Sequence, residues 1–491
     1  MWLGIDVGTG GSRALLVDAA GKEVASVTVG HQEMRMQQPM WAEQEPSDWA
    51  QASFAAVRGV LAKAGLTGAQ VRGVGLSGQM HGLVMLDGDG QVIRPSLIWC
   101  DQRSQPQVDF IHARVGRENV LRYIANPVLT GFTLPKLLWV RDHEPANFER
   151  CRKVLLPKDY VRYCLTGDFA TDVADASGTG VFDVVQRKWS MEMMDALGLD
   201  RTLLPRCYES AEVTSTISRE GARQTGLAEG TPVVGGAGDQ AASAVGNGIV
   251  ETGIVSCTLG TSGVVFAHMD EVAYDPQGRV HTFCHAVPCK WHVMGVTQGA
   301  GLSLKWLRNQ LLPGVDYDAM TREASTAPAG SQGLYWLPYL MGERTPHLDA
   351  QARGGWIGLT AKHTRADLIR SVIEGVSYSQ KDALDIIEGL GARVNSVRAS
   401  GGGARSLFWR QTLADIFAKP VVSLASQEGS AAGAALLAMV GTGEFVSVPE
   451  ACAATVRIVE TLAPQQDYGG RHRVYRSLYP ALQPIFPSMG C

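Results

Sequence analysis

Apolar and polar positions alternate with a period of two over the first thirty residues. Trp2 to Val7 reads as a strand, Gly8 to Gly11 as a tight turn, Ser12 to Asp18 as a second strand, and Glu23 to Val29 as a third after the turn at Gly21. This pattern predicts a three-stranded antiparallel meander. The same design returns at Gly253 to His268, where a strand, a Gly260-Thr261-Ser262-Gly263 turn and another strand follow one another. The two glycine hairpins, one near the start of each half, predict two domains of similar construction. Each half then changes to a helical period. Residues 366–390 place Ile369, Val372, Ile373 and Val376 on one helical face. Residues 396–422 predict a strand, a glycine turn and a helix carrying Trp409, Leu413, Ile416 and Phe417 on one side. Residues 429–441 are small and apolar, which predicts a helix that packs closely against a neighbour.

The chain has 491 residues, too many for one core when a domain usually takes about 100–200. Two α/β domains are expected, at residues 1–245 and 246–491, with the join in the region 240–255. A hydrophobic share of 45% and a charged share of 19% describe a soluble globular chain. The net charge of −4, without a long Lys/Arg run, gives no case for nucleic acid. The first residues have neither a basic region nor a long apolar one, so no signal peptide is expected. The most apolar late stretch, 431–440, is far short of the roughly 20 residues a membrane helix needs. No membrane association is expected. Nine cysteines without a C-x-x-C pair predict reduced thiols in the cytoplasm.

Residues 281–292 hold three His and two Cys, which raises a zinc site. Their spacing matches no standard zinc pattern. The plainer reading is a half-buried strand pair, since Cys284 and His285 point to opposite faces of a strand.

The phosphate-binding signatures are distinctive by what they are not. The only Gly-Lys pair, Gly21-Lys22, is followed by Glu23, so there is no P-loop. Gly8, Gly10 and Gly11 lead into another strand and not a helix, so this is no dinucleotide fingerprint. The hairpin still lets backbone N–H groups approach an anion. Asp6 ends the strand before it. It is either a solvated hairpin acid or a carboxylate that meets phosphates through Mg²⁺. Asp239 follows four small residues, Gly235 to Gly238, and opens a small-residue helix. It is either a helix cap or a base that positions an attacking hydroxyl and takes its proton late in phosphoryl transfer. Residues 400–406, Ser-Gly-Gly-Gly-Ala-Arg-Ser, precede an amphipathic helix and would bring backbone amides and Ser406 to a nucleotide.

In this order, the elements resemble the actin/Hsp70/sugar-kinase ATPase superfamily. Residues 131–143 (GFTLPKLLWVRDH) and 354–374 (GGWIGLTAKHTRADLIRSVIE) resemble the two signatures of the FGGY carbohydrate kinases. The resemblance implies two RNase H-like α/β domains flanking a deep cleft, and phosphorylation of a sugar or polyol by ATP with Mg²⁺. It implies Asp239 as catalytic base, with Asp6 and Asp239 as the Mg²⁺-associated acids through water. Thr9, Gly10, Arg13, Gly260 and Thr261 fall in the phosphate hairpins. Gly301, Lys305, Gly402, Gly403 and Ser406 fall where the family holds the nucleotide, although glycerol kinases carry glutamine at the position of Lys305. A small-molecule sugar is the implied partner, and a homodimer is a frequent assembly in the family.

At 78–82, glycerol kinases grip their substrate with an Arg-Glu pair, whereas this chain has Met80-His81. That pair, with 97–103, 155–179 and 338–347, resembles the branch of the family acting on D-xylulose. A thioether offers polarizable contact to a sugar's carbon face, and an imidazole offers one donor or acceptor to a hydroxyl. Gln240, beside the base, is expected at another sugar hydroxyl. Asp101 and Arg103 are expected either at the sugar pocket or paired with each other. Kinases of ribulose, L-xylulose, other polyols or hexonates stay as rivals, and an ATPase interaction protein of the actin/Hsp70 kind is the rival from another class.

Overall fold

The computed structural model describes residues 1–425 and 429–489. The first hairpin forms as the alternation requires. Trp2–Val7 pairs antiparallel with Gly11–Val17, which pairs antiparallel with Glu23–Gly30. Trp2–Val7 also pairs in parallel with Gly73–Gly78, giving a sheet that continues through Pro232–Val234 to Val213–Thr216. The short strand Ala237–Gly238 joins Gly73–Gly78 in parallel.

The second half repeats the plan. Gly253–Leu259 pairs antiparallel with Gly263–Met269 and in parallel with Val394–Ser400. Trp291–Thr297 extends one side, followed by His281–Cys284, while Val421–Leu424 and Ile458–Leu462 complete the other. The hairpin followed by a parallel crossing strand is the shared unit. Ile5, Leu76 and Val74 are fully buried in one sheet, and Val255, Cys257 and Val397 in the other.

The helix Arg365–Gly389 covers the second sheet, with Ile369, Val372 and Ile373 fully buried. It starts at a capping box in which the Thr364 hydroxyl accepts from the Asp367 N–H and the Asp367 carboxylate accepts from the Thr364 N–H. The small-residue helix Ser430–Gly441 packs against the first sheet and the helix Asp239–Gly246. Its approach is close enough to require glycine beneath it: a Cβ on Gly4 or Gly75 would sit 1.9 Å from the carbonyl oxygen of Ala431 or Ala434. Among the described residues, no helix is long and apolar enough to cross a membrane.

Residues 281–292 form the predicted strand pair, His281–Cys284 with Trp291–Thr297. All four residues of its first strand are buried, where half-burial was expected. Their side chains build an aromatic stack, with His292 on Phe266 at 4.2 Å and His281 on Phe283 at 5.5 Å. They form no metal-ligand group among the described residues.

Candidate active site

Three parallel strands end together at one edge of the first sheet. In register, Asp6 lies beside Ser77, and Ala237 lies beside the same Ser77 from the other side. Asp6, Met80-His81 and Asp239 therefore emerge at a common carboxyl edge, where open α/β sheets bind ligands. Gly238 is the contact point. A Cβ there would lie 2.7 Å from Met80 Cγ and 3.0 Å from Met80 Sδ.

Asp239 is the first residue of its helix, Asp239–Gly246. A helix N-terminus favours a carboxylate, and hydrogen bonding with Gln240 works in the same direction. Burial outweighs both, and the negative charge of Asp6 adds to it, so the Asp239 carboxyl is pushed up to about 7. The charge of Asp6 and the burial of Asp239 together favour the protonated form of Asp239.

His81 sits in the left-handed region at φ 71°. Its carbonyl oxygen accepts from Thr133 Oγ1 at 3.1 Å and from Lys136 Nζ at 3.0 Å. The segment 131–143 thus clamps the turn that presents the ring. His81 Nδ1 lies 2.7 Å from the Gly178 carbonyl oxygen, and a carbonyl can only accept, so Nδ1 carries the proton. Burial, with Lys136 next, lowers His81 to about 3, and the ring is neutral. Its Nε2 is then a lone-pair acceptor that makes no hydrogen bond among the described residues. Phe132 stacks on the ring at 4.9 Å.

Behind this turn, Lys158 is fully buried against Asp159 at 2.5 Å, Asp172 at 2.8 Å and Asp175 at 3.5 Å. The segment 155–179 therefore serves as a charged foundation. Asp101 and Arg103 are paired, the second of the two expected arrangements. Arg103 Nη2 donates to Asp101 Oδ2 and Nη1 to Glu43 Oε1, both at 2.8 Å. The guanidinium lies 3.8 Å from the Trp41 ring centroid. Asp101 also accepts from the Ala42 N–H at 2.6 Å. With both Asp101 oxygens engaged and both residues buried, the pair braces the 41–44 segment.

In the first hairpin, Gly8 N–H donates to Gly11 O at 3.0 Å, and His31 N–H donates to Gly10 O at 3.0 Å. Thr9 Oγ1 accepts from Trp99 Nε1 at 2.9 Å. Arg13 is the cross-strand neighbour of Asp6 and donates to Ser26 Oγ at 3.1 Å.

The second half holds a cavity of about 720 Å³, within the usual range of about 300–1,000 Å³ for small-molecule sites. Gly260, Thr261, Gly301, Lys305, Gly402, Gly403 and Ser406 all line it. Its geometry rests on Gly301, whose N–H donates to Gly260 O at 2.7 Å. A Cβ at 301 would sit 2.5 Å from that same oxygen. Ser406 is also the cap of the helix Leu407–Phe417, its Oγ accepting from Trp409 N at 3.3 Å. Asp316, Tyr317 and Arg322 close the wall and were not expected from the sequence.

Thr133, Lys136 and Lys158 were also missed as individuals, although their segments stood out. A lone lysine inside an apolar helical run, as in Leu134-Pro135-Lys136-Leu137-Leu138, was the available signal for a buried cation with a fixed task.

The chain matches the family model for the FGGY family of carbohydrate kinases, N-terminal domain, over residues 1–246, and the C-terminal domain over 255–442. It is 39% identical to the xylulose kinase of Escherichia coli over 490 residues, covering 99% of this chain and 100% of that one. The ligand-bound xylulose kinase from Lactobacillus acidophilus superposes with a TM-score of 0.94 at 27% identity, covering 99% of both chains. The gluconate kinase from the same organism superposes with a TM-score of 0.90 at 28% identity, covering 99% of this chain and 97% of that one. With both domain models matched in order and a relative this similar over its whole length, the chain belongs to the FGGY family of carbohydrate kinases.

Proposed function

We propose that the protein phosphorylates D-xylulose to D-xylulose 5-phosphate with ATP. The observation that carries the reading is the juxtaposition at Gly238-Asp239, where the acid that faces Asp6 adjoins Met80. A sugar resting on Met80 and His81 would present a terminal hydroxyl to Asp239. The 39% identity to a xylulose kinase supports the acceptor. The gluconate kinase, nearly as similar in fold at a TM-score of 0.90, makes the acceptor the part most in need of test.

In this reading Asp239 orients the hydroxyl and accepts its proton as the oxygen attacks the γ-phosphorus. The bond from that phosphorus to the bridging oxygen breaks, and ADP leaves. Burial makes Asp239 a stronger base than a free aspartate, which suits an alcohol donor. Met80 packs on the carbon face, the neutral His81 Nε2 accepts from one hydroxyl, and Gln240 binds another. Thr9, Gly10 and Arg13 from the first hairpin, with Gly260 and Thr261 from the second, receive the phosphates. Gly301, Lys305, Gly402, Gly403 and Ser406 hold the rest of the nucleotide. Asp6 and Asp239, two carboxylates at the same sheet edge, would hold a divalent cation through water. Mg²⁺, when bound, neutralises phosphate charge. Residues 1–245 supply the sugar side and 246–491 the nucleotide side, and closure of the two excludes water. We place the reaction in the cytoplasm, in keeping with the eight free thiols among the described residues.

An ADP-release assay with a panel of ketopentoses, polyols and hexonates tests the reading. D-xylulose is expected to give the highest kcat/KM. A higher value for another acceptor would overturn the substrate, and release independent of any sugar would overturn the kinase.

A further inference from the structure

Arg344 lies in the loop of residues 338–347, and the backbone on either side of it is fixed. Glu343 Oε1 accepts from the N–H groups of Gln298 and Arg344, each at 2.8 Å. Thr345 N–H donates to Val296 O at 3.0 Å, and Thr345 Oγ1 donates to Arg279 O at 2.6 Å. These bonds tie the loop to the strand Trp291–Thr297, whose Met294 pairs with His281. From His281 the ring contacts lead straight to the sugar side of the cleft. His281 lies 5.7 Å from Phe132, and Phe132 is the ring stacked on His81. The positive charge of Arg344 acts on both imidazoles, His81 and His281.

The guanidinium makes no hydrogen bond or ion pair among the described residues, although the residue is largely withdrawn from solvent. Glu343 next to it acts on it by charge but forms no ion pair with it among the described residues. Burial pushes Glu343 up to about 8, which leaves that carboxyl protonated at neutral pH. Other enclosed arginines of this chain are satisfied: Arg103 by Asp101 and Glu43, and Arg370 by Glu374 and Tyr468. A half-buried guanidinium with no acceptor among the described residues leaves five N–H donors that oxygen atoms of a ligand can take over from solvent.

Which oxygens follows from where the charge acts. Asp239, which marks the hydroxyl to be phosphorylated, responds chiefly to burial and to Asp6. The Arg344 loop is tied to the strand that pairs with His281, on the other side of the pocket, and its charge acts there on His81 and His281. We propose that Arg344 is a sugar-binding residue, brought from the second half of the chain, that donates to the oxygens at the end of the acceptor remote from Asp239. For a 2-ketose that end is a carbonyl beside a hydroxyl. Arg344 supplies donors to both oxygens, and His81 Nε2 supplies the acceptor for the hydroxyl's proton. The sugar thereby bridges the two halves, and its full grip exists only when they are together. This inference rests on the sugar-kinase reading above.

The test is the pair of KM values, for sugar and for ATP, in wild type and Arg344→Gln. Loss of charge-assisted hydrogen bonds predicts a sugar KM raised about tenfold to a hundredfold, with the ATP KM within about twofold. Wild type should also discriminate against 1-deoxy-D-xylulose by about tenfold, because that analogue lacks the hydroxyl of the bridged end. In the variant the discrimination should shrink, a change that a structural role for Arg344 would not produce. Arg344→Lys keeps the charge and serves if the glutamine variant does not fold; it should show an intermediate sugar KM. An unchanged sugar KM overturns the proposal, as does a loss confined to kcat or to the ATP KM, which would assign Arg344 to the phosphoryl group. A wild type that prefers another acceptor would sink the xylulose reading alone. The two KM values, measured with that acceptor, still decide on Arg344.

Discussion

Asp239→Asn should change the stability of the ligand-free protein in a pH-dependent way. Burial and the Asp6 charge lift Asp239 from 3.8 to about 7, roughly three units at ~1.4 kcal/mol each, or ~4 kcal/mol in all. The side chain is open to the cleft on one side, and solvent screening there leaves ~2 kcal/mol. The sign follows from linkage. Below pH 4 both folded and unfolded states hold the proton, and nothing is lost. Between about pH 4 and 7 the unfolded state ionises while the folded state keeps its proton, so stability falls as pH rises. Above pH 7 the folded protein carries a buried charge, and the loss is complete. Asparagine has the same size and no charge to bury. Thermal unfolding in EDTA should therefore give a smaller midpoint gap between wild type and Asp239→Asn at pH 4.5, where only part of the loss has accrued, than at pH 8. At pH 8 the variant should melt about 4–8 °C higher, at the usual few degrees per kcal/mol for a large domain. Added Mg²⁺ should narrow the gap at pH 8. A midpoint difference that is the same at both pH values would refute the argument that Asp239 is strained by burial and by Asp6.

Two further outcomes separate the halves of the site. His81→Ala removes the Nε2 acceptor and should raise the sugar KM about tenfold, the worth of one hydrogen bond, with the ATP KM unchanged; steady-state kinetics with each substrate varied decides, and two unchanged KM values would make the ring structural. Gly301→Ala places a methyl group 2.5 Å from the Gly260 oxygen, so the second hairpin must move; the ATP KM should rise about tenfold or more while the sugar KM holds, and an unmoved ATP KM would remove Gly301 from the nucleotide site.

The two hairpins and their helices were legible because their signals are local. Alternation, glycine turns and a helical period each act over a few residues. Asp239 stood out because small neighbours clear space around an acid, and Asp6 because it ends the strand before a glycine hairpin. Charge pairing was harder to read. The spacing of Asp101 and Arg103 is the same whether they face a ligand or each other, and only the Trp41 and Glu43 surroundings decide it. Lys158 reads as an ordinary charge near a helix start, yet it is fully buried among three aspartates drawn from residues 159–175. The docking of Ser430–Gly441 onto the first sheet depends on Gly4 and Gly75, hundreds of positions away. The small side chains foretold a close neighbour without naming it. Arg344 was hidden for a similar reason. Its loop, 338–347, stood out only as a segment, and the link from that loop to His81 runs through a strand pairing and two ring contacts that no local pattern encodes.

The central claim is that Asp239 takes the proton from the sugar hydroxyl, and the turnover of Asp239→Asn with D-xylulose and MgATP tests it most directly. The account predicts a kcat reduced by about a hundredfold or more, with the protein folded. Retention of more than about a tenth of the wild-type kcat, less than the loss expected for a general base, would contradict it.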